Sequence, residues 1–326
     1  MKTDRNRIFL ALALLSVVVV TVNWPRSSPP PAPTLEHPTE PAESLRIGSW
    51  NIEWLGQPNR RSGPAKGIRQ SPEDLADYIA ASRVRVLALQ EVAANAADGS
   101  PTNATLNAVC EILDAEHGGD WWHVVFTRSP GNQNAGVLWD AESVTLLNSP
   151  DGYAVPIDRI TSAQDKRVWA RPPKALHFSA GEDATDFVII PIHMKSDYGG
   201  GFEVHRAEEA SVLAAALPRV ASRFSDHDIL VIGDTNSQST NDESIQSFER
   251  AGLIDLNDSD AITYWRGSAL DRILVPADQP EFASPGFEVF FDGYTRARGL
   301  DETDFKERWS DHWMVVFTLD VMADDD

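Results

Sequence analysis

The sequence predicts a single layered α/β domain over residues 45–322, and two observations predict it. Short apolar, β-favouring runs alternate with segments of helical spacing along the whole stretch. No Gly-rich phosphate loop follows a strand, which argues against a dinucleotide-binding sheet. Polar and acidic residues also recur at the ends of the predicted strands, where a layered sheet can assemble a site.

The elements follow in order. LRIGSWNI (45–52) alternates in part and reads as a strand. SPEDLADYIAAS (71–82) reads as a helix, with Ser71 as N-cap, Pro72 at the first helical position and acids in the first turn. VRVLALQEV (84–92) is a mostly apolar strand. TNATLNAVCEILDAEH (102–117) has helical spacing in Leu106, Val109, Cys110 and Leu113. WWHVVFT (121–127) and AGVLW (135–139) read as adjacent strands joined by the loop SPGNQN. FVIIPIHMK (187–195) is a buried strand whose Pro191 predicts a bulge or an edge. RAEEASVLAAALPRVASRF (206–224) is a helix with a break expected near Pro218. DILVIGD (228–234) is a strand, SIQSFERAG (244–252) a helix ending at Gly252, and LDRILVP (270–276) and HWMVVFTLD (312–320) are the last strands.

Ahead of the domain, Lys2, Arg5 and Arg7 precede an apolar run at 8–22. Residues 1–24 therefore read as a signal anchor or, alternatively, a cleaved signal peptide. The basic residues place the N-terminus in the cytoplasm and the body outside it. Residues 25–44 hold seven prolines and read as a stiff, extended linker. Residues 323–326, ADDD, read as a solvated acidic tail. Cys110 is the only cysteine, so the chain forms no intramolecular disulfide. The net charge is −21, and it lies wholly beyond residue 44, because residues 1–44 carry four basic and four acidic groups. Such a surface argues against a protein that coats nucleic acid through bulk positive charge. It leaves room for an enzyme that engages phosphate locally.

The strand-end residues are Asn51 and Glu53 after the first strand, Glu91 in the second and His193 in FVIIPIH. Asp234 and Asn236 follow in GDTNS, Asp271 opens LDRILV, and Asp311 and His312 open the last strand. Singly, each has a bland reading. His193 would be a satisfied core histidine and GDTN a turn. The recurrence at six strand ends is what points to a site.

Together SWNIEWLG (49–56), ALQEV (88–92), PIHMKS (191–196), IGDTNS (232–237), LDRILV (270–275) and SDHW (310–313) resemble, in order, the motifs of the endonuclease/exonuclease/phosphatase superfamily. This is the group of pancreatic-type deoxyribonucleases, abasic-site endonucleases, sphingomyelinases and inositol polyphosphate 5-phosphatases. The resemblance implies a four-layer α/β/β/α sandwich with two central, mostly antiparallel sheets, and hydrolysis of phosphate esters. It implies Mg²⁺ as cofactor, with Mn²⁺ and Ca²⁺ as alternatives. It makes Glu91 the principal metal ligand with Asn51 and Asp311 close by, and Glu53 either a supporting acid or a holder of a second ion. His312 would pair with Asp271 and contact the phosphate. Asp234 would orient or deprotonate the attacking water, Asn236 would donate to a phosphoryl oxygen, and His193 would be the acid for the leaving oxygen.

One departure bears on that last role. Where the pancreatic-type nucleases carry a Glu supporting this histidine, the region here is NQNAGVLW, which offers only the amides Gln133 and Asn134. Lys195 and Asn134 are expected substrate contacts. Arg167 and Arg171 are further cations, Trp50 and Trp54 support for Asn51, and Tyr198 with its following glycines a substrate loop. The expected substrate is nucleic acid, DNA or RNA, cut by a monomeric, non-specific endonuclease outside the cytoplasm and tethered to a membrane if the first segment is uncleaved. A phosphodiesterase or phosphatase acting on lipid or inositol-phosphate headgroups is the alternative. A non-catalytic binding module is a third reading, set back by the completeness of the residue set.

Overall fold

The computed structural model describes residues 44–57, 67, 69–96, 100–126, 130–157, 167–282 and 286–323. The expected signal segment, all of the linker but Ser44, and all of the acidic tail but Ala323 lie outside them. Among the described residues, no helix is long and apolar enough to cross a membrane.

Two mixed sheets form the centre. In the first, β1 (Ser44–Leu55), β2 (Val86–Val92), β3 (Trp121–Val125) and β4 (Asn134–Asp140) are joined by β12 (Phe287–Phe290) and β13 (Met314–Asp320), in the order β12-β13-β1-β2-β4-β3. The second comprises β5 (Thr145–Leu146), β6 (Tyr153–Ala154), β7 (Lys174–Ser179), β8 (Asp186–His193), β9 (Ile229–Asp234), β10 (Leu253–Asp255) and β11 (Asp271–Pro276). Its order is β10-β11-β9-β8-β7-β5, with β6 paired to β7. Among the described residues, only β1 with β2 and β8 with β9 run parallel, so the sheets are mostly antiparallel.

The period-two alternation along the strands sorts side chains into three cores. Ile47, Val86, Phe187, Ile189, Ile232 and Phe317 pack between the sheets. Trp50, Leu87 and Leu89 face the opposite way, onto α1 (Pro72–Ser82), α2 (Ala104–Ile112), α5 (Asp292–Arg298) and α6 (Glu302–Arg308). Val188, Ile190 and Val231 turn onto α3 (Glu203–Phe224), and Phe248 of α4 (Glu243–Glu249) joins them. Three cores between successive layers make the four-layer α/β/β/α sandwich.

Local chemistry sets the element ends. Ser71 accepts from the Asp74 N–H to cap α1, and Asn103 accepts from Thr105 and Leu106 to cap α2. Pro218 does not break α3. It lies on the exposed side of the helix, where a carbonyl left without its helical donor costs least. Pro191 lies on a local edge, as expected, and no bulge accompanies it. Val188 and Met194 donate their N–H groups toward β9, so position 191 faces β7, whose ladder has already ended at Ile189.

Candidate active site

Topology gathers the polar strand ends. The parallel pairs β1–β2 and β8–β9 finish at one edge of the sandwich, and the antiparallel strands β11 and β13 begin there. Register places His193 beside Asp234, and Asp234 beside Asp271. The pairing of β1 with β2 shifts between Asn51 and Leu55, and that of β2 with β4 between Leu89 and Val92. In these bulges Glu53, Trp54 and Glu91 adopt positive φ, as does Asn236 after β9. Left-handed backbone at a non-glycine residue costs roughly 1–2 kcal/mol. Its concentration here is the mark of side chains re-aimed for a site.

The polar groups interlock. His312 Nδ1 lies 2.8 Å from Asp271 Oδ2, and its Nε2 lies 3.9 Å from Asp234 Oδ2. Asn51 donates from Nδ2 to Asp234 Oδ2 at 2.9 Å, while the other Asp234 oxygen accepts the Asn236 N–H at 2.9 Å. Trp54 N–H donates to Glu91 at 3.2 Å. His193 Nε2 is 3.6 Å from Asp234 and 3.9 Å from Glu91, and its Nδ1 is buried with no hydrogen-bond partner among the described residues. Tyr264 packs on the His312 ring with centroids 4.7 Å apart. Trp50 is fully buried and donates to the His312 carbonyl, and Ser310 bonds the Asn51 carbonyl and the His312 N–H. Asp311 and His312 are adjacent, yet they serve different neighbours.

Electrostatics divide these groups. Burial, and next the Asp311 carboxylate, push Glu91 up to about 7, with His312 and Arg171 pulling the other way. Burial raises Asp234 to about 6; nearby His312 opposes that and Asp271 adds to it. Burial would lower His312, but the charge and hydrogen bond of Asp271 outweigh it and lift the ring to about 10. His193 goes well below the usual histidine range, through burial first and then the cations Arg171, His312 and Lys195. One ring is therefore an imidazolium at neutral pH and the other is neutral.

The residues present fit a divalent metal ion. Glu91 and Asp311 are oxygen donors, the charge of Asp311 raises the cost of ionising Glu91, which a bound cation would relieve, and hard carboxylate oxygens suit Mg²⁺. A tighter cluster lies at the far end of β8. There, His177, Asp186 and Asp226 bring three ligand atoms within 4.8 Å of one another. His177 Nε2 sits 2.9 Å from Asp186 and 3.1 Å from Asp226, the arrangement of a ring N–H shared by two acids.

Other expected residues are placed differently. Asn134 is fully buried, and its amide nitrogen donates to Val92 O and Asn132 Oδ1, bracing β2 against β4. Gln133 accepts from Arg171, whose guanidinium also bonds the His193 and Met194 carbonyls, so a cation borders the His193 strand. Lys195 Nζ lies over the Phe202 ring at 3.9 Å and bonds Ser196 O. Arg167 is exposed and Tyr198 is 92% exposed. Asn236 spends one amide hydrogen on Met194 O. Two site residues carried no motif: Tyr264, and Lys306 on α6. Lys306 Nζ lies 3.3 Å from Asp311 and 3.6 Å from Glu53. The capping pattern of Asp301 and Asp304 was the one local signal for the helix that carries it.

No protein-family model and no curated protein matches the chain. Solved structures do. The human Nocturnin catalytic domain, solved with bound sulfate, is 16% identical over 86% of this chain and 95% of that one, with a TM-score of 0.56. An endonuclease/exonuclease/phosphatase from Beutenbergia cavernae is 17% identical over 86% and 72%, with a TM-score of 0.57. D. rerio TDP2, in complex with single-strand DNA product, is 14% identical over 86% and 100%, with a TM-score of 0.51. Two mixed sheets, three cores and an edge of convergent acids and histidines thus form, in this chain, the fold of the endonuclease/exonuclease/phosphatase proteins.

Proposed function

We propose that this chain hydrolyses phosphodiester bonds of nucleic acid with the help of one or more divalent metal ions, as a non-specific endonuclease acting outside the cytoplasm. The observation that carries the reading is the meeting, at one sheet edge, of a carboxylate-held imidazolium (His312 with Asp271), an amide-anchored carboxylate (Asp234) and two acids suited to a cation (Glu91 and Asp311). A similarly folded protein solved with a single-strand DNA product supports nucleic acid as the substrate class. The basic residues ahead of the run at 8–22 support export.

Glu91 and Asp311 would hold Mg²⁺, which when bound polarises a phosphoryl oxygen and offsets its charge. His312 presents a protonated Nε2 and donates to the phosphate as negative charge builds. Asp271 keeps that proton in place. Asp234, fixed through both oxygens by Asn51 and Asn236, is aligned to take the proton of the attacking water. Neutral His193 has one ring N–H to donate to a phosphoryl oxygen. Its depressed basicity makes it a poor proton reservoir for the leaving oxygen, in keeping with the missing acid at Gln133. The net charge of −21 makes binding of the polyanion weak.

The test is full-length chain incubated with supercoiled plasmid in Mg²⁺ or EDTA, beside His312→Ala, with RNA and phospholipid as parallel substrates. Nicking that needs both the metal and His312 is expected. Cleavage confined to phospholipid headgroups, or nicking that survives His312→Ala, would overturn it.

A further inference from the structure

Lys306 is 1% exposed, an uncommon place for a lysine. The helix that carries it has seven residues, is held at its start by the Asp301–Asp304 capping box, and sinks Phe305 and Trp309 into the core, which turns Lys306 inward. Its Nζ lies 3.3 Å from Asp311 Oδ2 and 3.6 Å from Glu53 Oε1. The Trp265 ring covers it, with the centroid 4.7 Å away, and adds a cation–π contact. Glu53 is itself 2% exposed. The acid after Asn51 and the acid before His312 thus share one ammonium.

We propose that Lys306 is a resident cation that takes the place of a second metal ion: it neutralises Glu53 and part of Asp311, so that the centre binds a single divalent ion through Glu91 and Asp311. The inference rests on the metal-dependent reading above and goes beyond it. An ammonium and a dication cannot both sit within 3–4 Å of the same two carboxylates without strong repulsion. Glu53 therefore acts as the partner of Lys306 and not as a metal ligand. Lys306 is a positioning residue in this scheme, holding Asp311 while Asp311 serves the ion.

Mn²⁺ binding to the full-length chain, counted by electron paramagnetic resonance of the free ion, tests this without reference to activity. Wild type is expected to bind one Mn²⁺. Glu53→Gln is expected to bind one with affinity within about threefold of wild type. Lys306→Met is expected to bind two, and Lys306→Met combined with Glu53→Gln one. Two ions on wild type, a tenfold or greater loss of affinity in Glu53→Gln, or a single ion on folded Lys306→Met would each overturn the proposal. Should Lys306→Met fail to fold, the wild-type stoichiometry and the Glu53→Gln affinity decide it alone. No Mn²⁺ on folded wild type would overturn the metal-dependent reading and this inference with it, an outcome distinct from finding two.

Discussion

His177 offers a measurement that isolates one buried charge. The ring stands on β7 with its side chain 10% exposed, against Phe224, and its Nε2 faces Asp186 at 2.9 Å and Asp226 at 3.1 Å. Burial alone would lower its basicity. The two carboxylates outweigh burial and raise it from 6.5 to about 9. At about 1.4 kcal/mol per tenfold, that is roughly 3 kcal/mol of preference for the protonated ring, and about 2 once the water reaching Asp186 is allowed for. Because the folded value lies above the unfolded one, this stabilisation is whole below about pH 6.5 and is lost as pH rises through about 9. Asp226→Asn removes one charge and keeps an oxygen to accept the Asp228 N–H. Urea unfolding of wild type and Asp226→Asn, in EDTA, at pH 6 and pH 9.5 reads the effect. Wild type should exceed the variant by about 1 kcal/mol at pH 6, because Asp186 still holds the ring proton in the variant, and by less at pH 9.5. An equal gap at both values would refute the shared-proton reading. So would a wild-type melting temperature raised by micromolar Zn²⁺, which would make the three side chains ligands.

The remaining predictions concern the site and its frame. Asp271→Asn should leave circular dichroism unchanged and lower plasmid-nicking kcat by roughly 10²–10⁴-fold; a loss under threefold would remove Asp271 from the mechanism. Glu91 is raised to about 7 by burial and Asp311, so below that pH a proton competes with the metal. Mn²⁺ affinity should fall by up to about tenfold per pH unit from 7 to 5.5, and a flat profile would count against Glu91 as ligand. Arg272 is fully buried between Asp255 and Asp260 and also bonds Asn257 O. Arg272→Met should cost roughly 3–5 kcal/mol in urea unfolding, since it strands those acids; a cost under 1 kcal/mol would show that they find solvent.

Much of this protein was legible one segment at a time. The apolar runs of β1, β2, β8, β9, β11 and β13 follow from residue type and period alone, and so does the cap of α1. The strand-end residues were legible too, because a strand announces its end where apolar residues give way to Asn, Asp or His. β7 and the helices α5 and α6 were missed. In β7, KALHFS, Lys174 and His177 interrupt the apolar run, and α5 and α6 have only seven residues each and are kept by packing rather than propensity. Pro218 misled because a proline's cost depends on which helix face carries it, and tertiary burial decides that.

Which residues share the site's chemistry was a matter of three dimensions. The order of strands decided that Asp234 lies between His193 and Asp271. The bulges at Glu53 and Glu91 decided where those acids aim. The sequence by itself determined the main strands and helices and which residues stand at the strand ends, since both depend on local period. Only the tertiary structure decided that His312 is charged and His193 neutral, that Arg171 bonds Gln133 beside the His193 strand, and that Lys306 reaches Glu53 and Asp311. Charge states and ion pairs depend on burial and on distances of a few ångström between segments far apart in the chain, and neither quantity is a property of any one segment.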